Sequence, residues 1–333
     1  MVLIRLVLFF AVTILVFFVP QTIQAQNLLP YPAATYRVFR TNLSEGLSCS
    51  SCSLAARKFL NSFTSYQFPN PFSPQQDPLS RLEFPLDQWF IGIESQYRGS
   101  WWSLSGQGWI NITRESGLKM QDSDWDDDGR PSQKTVFSES QCRLNTGILL
   151  DVAATLGNPV RRYFNFTPLI GLRYQYFFFT THDGYQTAIG GWPSDLPGDG
   201  IDFKQFFYHI YFGGASYTIF NLGTAGIPLT RLRLDVQVDY ALVRGRNEDA
   251  HLLREGNRVT EQNTSGHCWH VFASLGVLSR DRLNTRIEFD IKRVLTNGGH
   301  LLTNSMFDIN FSFDGSRVWS DQVSLSGVVE VAL

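Results

Sequence analysis

The stretch Arg231-Leu232-Arg233-Leu234-Asp235-Val236-Gln237-Val238-Asp239-Tyr240-Ala241-Leu242 decides the fold. Its apolar residues fall at alternate positions: Leu232, Leu234, Val236, Val238, Tyr240 and Leu242. Between them stand Arg231, Arg233, Asp235, Gln237 and Asp239. Successive side chains of a strand point to opposite faces, so this is a strand with one apolar and one charged face. The pattern returns at Leu283, Thr285, Ile287, Phe289 and Ile291, alternating with Asn284, Arg286, Glu288, Asp290 and Lys292. It returns again along Val323, Leu325, Gly327, Val329, Val331 and Leu333, on which the chain ends.

The length of these runs separates two architectures. Strands of soluble sandwiches run to about 5–6 residues, whereas a tilted membrane strand needs about 9–11. Long strands whose charged faces must converge predict an all-β protein, a transmembrane antiparallel β-barrel with a lipid-facing outside and a hydrated, ion-paired interior. A soluble barrel is the alternative. Composition favours the membrane: 14% of residues are aromatic and only 17% charged, against about 25% charged in average soluble chains. With 28 basic and 30 acidic residues, there is no electrostatic case for nucleic acid. Short turns at Gly157-Asn158-Pro159 and Ser279–Arg282 alternate with the long polar stretches Thr113–Lys134, His182–Asp202, Arg244–Arg258 and Thr296–Asp321. These long stretches are expected as loops facing outside the cell.

The beginning of the chain carries an export signal. Arg5 precedes the uncharged apolar run Leu6–Val19, Pro20 breaks it, and Ile23-Gln24-Ala25 suits cleavage. The run is short for a membrane helix, so a signal peptide at residues 1–25 is expected, an uncleaved anchor being the alternative. Residues 26–79 are rich in Ser, Pro and Asn and show no clean strand, though they have room for the first one. Residues 80–333 are expected to form the barrel. Cys49 and Cys52 make a CxxC, and Cys142 and Cys268 stand alone. In an exported chain these read as disulfides or inert thiols. A zinc site drawing on His267-Cys268-Trp269-His270 matches no ligand spacing of known zinc modules, and no metal is expected.

Two stretches hold residues suited to chemistry. One is Asp122-Ser123-Asp124-Trp125-Asp126-Asp127-Asp128-Gly129-Arg130, the other Asn247-Glu248-Asp249-Ala250-His251. Counting in twos from Asp235 and Asp239 reaches Asp249 and His251, so both point inward if the strand continues. An Asp two residues from a His on one strand face can orient the imidazole, and such a His can take a proton from water. Asp122 and Asp124 share a face if extended, and paired carboxylates can share a proton or hold the attacking water. Other readings stay open: a solvated acidic loop, a rim salt pair, or a calcium loop, although Gln133 occupies the place where such a loop needs Glu.

On these motifs the chain resembles the omptin family of Gram-negative outer-membrane endopeptidases, which carry Asp-x-Asp in one outer loop and Asp-x-His in another. The resemblance also rests on Gly106-Gln107-Gly108-Trp109, Met120, Phe203-Lys204-Gln205-Phe206 and Asn257-Arg258-Val259-Thr260, and runs from Ser80 to Leu333. It implies a barrel of ten strands and an endopeptidase in which His251, oriented by Asp249, activates water together with Asp122 and Asp124. Met120 and Asn247 would lie at the substrate site. No cofactor is implied, and the expected partners are peptide or protein substrates and outer-membrane lipids, with the chain a monomer. Three features depart from the family. The position of Asn247 is acidic in better-known members, which cut beside basic residues, and Glu248 or Asp126–Asp128 would have to replace that charge. The lipopolysaccharide site falls on Tyr176 and Phe206, so dependence on that lipid does not follow. The segment 26–78 has no counterpart. A non-enzymatic barrel of the same fold (porin, adhesin or structural protein) is the competing function. An enzyme acting on lipid finds no Gly-x-Ser-x-Gly elbow.

Overall fold

The computed structural model describes residues 49–72, 76–99, 102–157, 166–221, 231–256, 258–278 and 283–332. The expected signal peptide and the turn Ser279–Arg282 lie outside these residues, as do Asn158 and Pro159. Thirteen strands follow in order: β1 (Cys49–Phe59), β2 (Ser62–Phe68), β3 (Ser80–Leu86), β4 (Trp89–Arg98), β5 (Trp102–Asn111), β6 (Met120–Asp124), β7 (Val136–Leu156), β8 (Phe166–Ala188), β9 (Ser194–Asn221), β10 (Arg231–His251), β11 (Arg258–Leu278), β12 (Leu283–Asn304) and β13 (Ile309–Ala332).

They close into one antiparallel ring of ten. At one end β1, β4 and β5 complete the ring between β13 and β7; at the other end β2, β3 and β6 do so. The first three staves are therefore each broken once, β1 from β2 at Leu60-Asn61, β3 from β4 at Asp87-Gln88, and β5 from β6 by residues 112–119. Asn61 takes a positive φ of 50° at its break, a conformation that Asn tolerates better than most residues. From β7 onward each stave is a single strand of 21 to 28 residues. Closure leaves no unpaired edge, as a lipid-embedded sheet requires.

The two faces sort as the alternation predicts. Ile93, Leu150, Leu172, Ile210, Leu242 and Ile287 are exposed on the outside, while Arg173, Asp239, His270, Asp290 and Lys292 are buried inside. Arg173 Nε lies 2.7 Å from Asp151 and its Nη1 3.6 Å from Asp239; His270 bridges Asp239 (2.5 Å) and Asp290 (2.8 Å). Nearer the opposite end, Arg286 gathers Glu94, Glu288 and Glu330. The outward face of β10 turns from Tyr240 and Leu242 to Arg244, Arg246 and Glu248, which marks the upper limit of the apolar belt. His251 stands nine residues past Leu242, roughly 30 Å further along the strand.

One expectation needs correction. The polar stretches His182–Asp202, Arg244–Arg258 and Thr296–Asp321 are mostly strand, with the strands interrupted among the described residues at 189–193, 252–256 and 305–308. Beyond the belt neither face meets lipid, so the apolar alternation fades while the hydrogen-bond ladder continues. Residues 49–68, which show no clean strand in sequence, form β1 and β2. Inside β1 lie Ser51, Ser53, Ala55 and Arg57, and outside lie Cys52, Leu54 and Ala56; small residues on both faces hide the period. Cys142 and Cys268 are buried free thiols, not a disulfide.

Candidate active site

At the end distal to the belt, the inward faces of β2, β3, β6, β8, β9 and β10 converge. Phe84 stacks on Phe203 at 4.2 Å, Phe179 lies 5.4 Å from Phe84, and Tyr66 stacks on Phe203 at 5.4 Å. Met120 and Asn247, the expected substrate residues, are each only 1% exposed. Asn247 sits in register with Gln205 on β9 and Gln262 on β11, and neither polar atom of its amide has a protein partner among the described residues.

Asp249 and His251 both face inward at the end of β10, and His251 Nε2 lies 3.2 Å from Asp249 Oδ2. Asp249 is fully buried. Burial alone would raise its carboxyl, but the charge and hydrogen bond of His251, the hydrogen bond of Tyr66 and the charge of Arg258 outweigh burial and hold it below the ordinary carboxylate value. Asp122 and Asp124 lie on β6, in register with Leu82 and Ser80 of β3 on one side and with Ser138 and Val136 of β7 on the other. In the ring, β6 stands four strands from β10 through β7, β8 and β9. The interior brings Asp122 within electrostatic reach of both His251 and Asp249.

The two carboxyls of β6 are pushed upward. Burial first, and then the charges of Asp124 and Asp249 against that of His251, bring Asp122 up to about 7. Burial raises Asp124 too, against a hydrogen bond from Ser80 and the charges of Arg254 and Arg258. The native barrel thus holds a proton that Asp122 of the unfolded chain, at its ordinary value of 3.8, releases. Its contribution to stability is complete below pH 4 and is lost as pH rises to about 7. Asp122→Asn cannot ionise, so it should unfold later than wild type at pH 8, by on the order of 2 kcal/mol because Asp124 shares the proton. The two should converge below about pH 4. Denaturant unfolding at both pH values measures this.

Two groups at this end, Tyr66 and Arg254, are not singled out by sequence motif. Tyr66, from the segment without a legible strand, hydrogen-bonds Asp249. Arg254 and Arg258 place positive charge beside the carboxylates. The expected replacements for a missing acidic charge, by contrast, are committed elsewhere. Glu248 points outward and pairs with Lys204 at 2.7 Å. Asp127 pairs with Arg130, Asp126 accepts from Thr135, and Asp128 accepts from Gln76. Glu248→Ala should cost under about 1 kcal/mol of stability and leave any cleavage rate unchanged, which parallel unfolding and peptide assays check. Tyr176 and Phe206 also face outward, stacked 4.7 Å apart.

Comparisons with known proteins bear on this geometry. No curated protein sequence matches the chain. Among solved structures, the outer membrane protease OmpT from Escherichia coli superposes with a TM-score of 0.70 at 16% identity, over 87% of this chain and 99% of that one. At that identity the likeness shows the barrel fold. The β domain of the Bordetella autotransporter BrkA covers 85% of this chain and 100% of its own at 8% identity, but its TM-score of 0.28 carries no argument. The sequence profile of the Omptin family matches residues 74–296, well over half of the chain. The chain therefore belongs to the omptin family of Gram-negative outer-membrane proteases.

Proposed function

We propose that the chain is an endopeptidase whose active site faces outside the cell and which hydrolyses peptide bonds with water activated by His251. The observation that carries this reading is the buried Asp249–His251 pair facing a carboxyl, Asp122, that keeps its proton to about pH 7. With Nε2–H given to Asp249, the Nδ1 lone pair of His251 is free to take a proton from water. The water oxygen attacks the peptide carbonyl carbon, and protonated Asp122 can donate to the developing oxyanion. His251 then returns its proton to the leaving amine, and no covalent adduct to the protein forms.

Substrate preference follows from the charges present. Asn247 is neutral, Glu248 faces outward, and Arg254 and Arg258 lie beside Asp122 and Asp124. Basic residues beside the cut are thus proposed to be accepted but not required. The aromatic pair Tyr176–Phe206 offers no cation to a lipid phosphate, so activity is proposed to be independent of lipopolysaccharide. The same neutral, buried Asn247 favours the competing reading, a barrel of this fold without protease activity.

Intact Gram-negative cells displaying the protein should cleave a fluorogenic peptide that cannot enter them. Cleavage only after lysis would overturn the outward orientation. No cleavage in either case would favour the non-enzymatic barrel.

A further inference from the structure

Asp249 is a carboxylate held ionised at full burial, and its protein partners are few. It is fully buried, and among the described residues its Oδ1 has no hydrogen-bond partner. Everything that stabilises the carboxylate by hydrogen bonding converges on Oδ2, which accepts from His251 Nε2 and from the phenol of Tyr66. The phenol comes from across the barrel, since β2 stands four strands from β10 by way of β13, β12 and β11. Its ring is fixed by stacking on Phe203 and Phe68, and the polar side chain of Thr260, the cross-strand neighbour of Asp249, acts on its hydroxyl and lowers its pKa against burial. The rings around it, Phe68, Phe84, Phe179 and Phe203, fill the same space without a hydroxyl.

We infer that Tyr66 is a positioning residue for the base: its hydroxyl holds the buried Asp249 carboxylate in the rotamer that aims His251. The catalytic consequence rests on the protease reading above; the structural one does not. The other charged or titratable groups near the pair are Arg258 on β11, His300 on β12, held neutral by burial at about 4, and Asp122 on β6, whose charge Tyr66 also feels. Without the phenol, the Asp249 charge is answered by His251 and Arg258 alone, and the Asp249–His251 pair binds a proton more tightly.

Tyr66→Phe in the full refolded chain tests this, with folding followed by heat-dependent electrophoretic mobility. In NMR of histidine-labelled protein, the His251 titration midpoint should rise by about half a unit to one unit relative to wild type. In peptide cleavage, kcat should fall by roughly 10- to 100-fold, as for loss of a hydrogen bond to a charged group. KM should stay within about threefold and the acid limb of the pH profile should move to higher pH. Added to Asp249→Asn, Tyr66→Phe should cost nothing more, since the shared partner is already changed. If Tyr66→Phe does not fold, Thr260→Val should move the His251 midpoint the same way by a smaller step. A folded Tyr66→Phe, or in its place Thr260→Val, with the wild-type His251 midpoint overturns the inference. Wild-type protein that cleaves nothing overturns the protease reading, and the His251 titration still decides the role of Tyr66.

Discussion

His251→Ala should lower kcat/KM for peptide cleavage by about 1,000- to 10,000-fold in a barrel that still folds. In the proposed mechanism the imidazole takes the proton from the attacking water, so its loss removes the base. The His251 side chain is 13% exposed and stands at the very end of β10. Asp249→Ala should cost a similar factor, because the imidazole then loses the acceptor that fixes its tautomer. The double variant should be no worse than His251→Ala alone, since two residues acting as one unit do not add. Asp249→Ala leaves the Tyr66 hydroxyl without its acceptor, and His251→Ala leaves the buried Asp249 carboxylate without its nearest partner, so a loss of stability should accompany each. Steady-state kinetics and unfolding curves on the three variants separate these effects.

Arg173→Ala should destabilise the barrel by about 3–5 kcal/mol. Arg173 lies inside the belt at 5% exposure, with Asp151 and Asp239 as partners and its guanidinium 4.5 Å over the ring of Tyr211. Removing the cation takes the charged partner from two carboxylates in a region of low dielectric, and the remaining hydrogen bonds from Tyr211 to Asp151 and from Gln237 to Asp239 offset only part of their desolvation. His270 softens the loss for Asp239, which it contacts at 2.5 Å, but not for Asp151. Removing Asp151 as well should recover part of the stability, whereas an exposed pair such as Arg130–Asp127 should show no such coupling. Denaturant unfolding in lipid bilayers reads both results.

The fold was legible wherever lipid imposed a contrast between the two faces of a strand. Leu232–Leu242 and Leu283–Lys292 lie inside the belt, and their parity, carried upward, places Asp249 and His251 inside the barrel. Legibility faded in two places for physical reasons. Above the belt both faces are polar, so the upper halves of β8 to β13 look like loops. In β1, Ser, Ala and Cys supply too little size or polarity to mark a face, while in β2 every residue but Phe63 is buried and polar and aromatic residues fall on both faces, so Tyr66 carried no motif. The outward direction of Glu248 was readable from parity alone, because it stands one residue from Asp249, but its pairing with Lys204 needed the register of β9 against β10.

The measurement that bears most directly on the central claim uses refolded protein in detergent, with and without lipopolysaccharide. It follows fluorogenic peptides carrying single, paired or no basic residues, beside the His251→Ala variant. The account predicts cleavage by wild type in both conditions, extending to peptides without a basic residue, and its disappearance in the variant. No cleavage of any peptide by a folded wild-type barrel, or equal cleavage by His251→Ala, would contradict it.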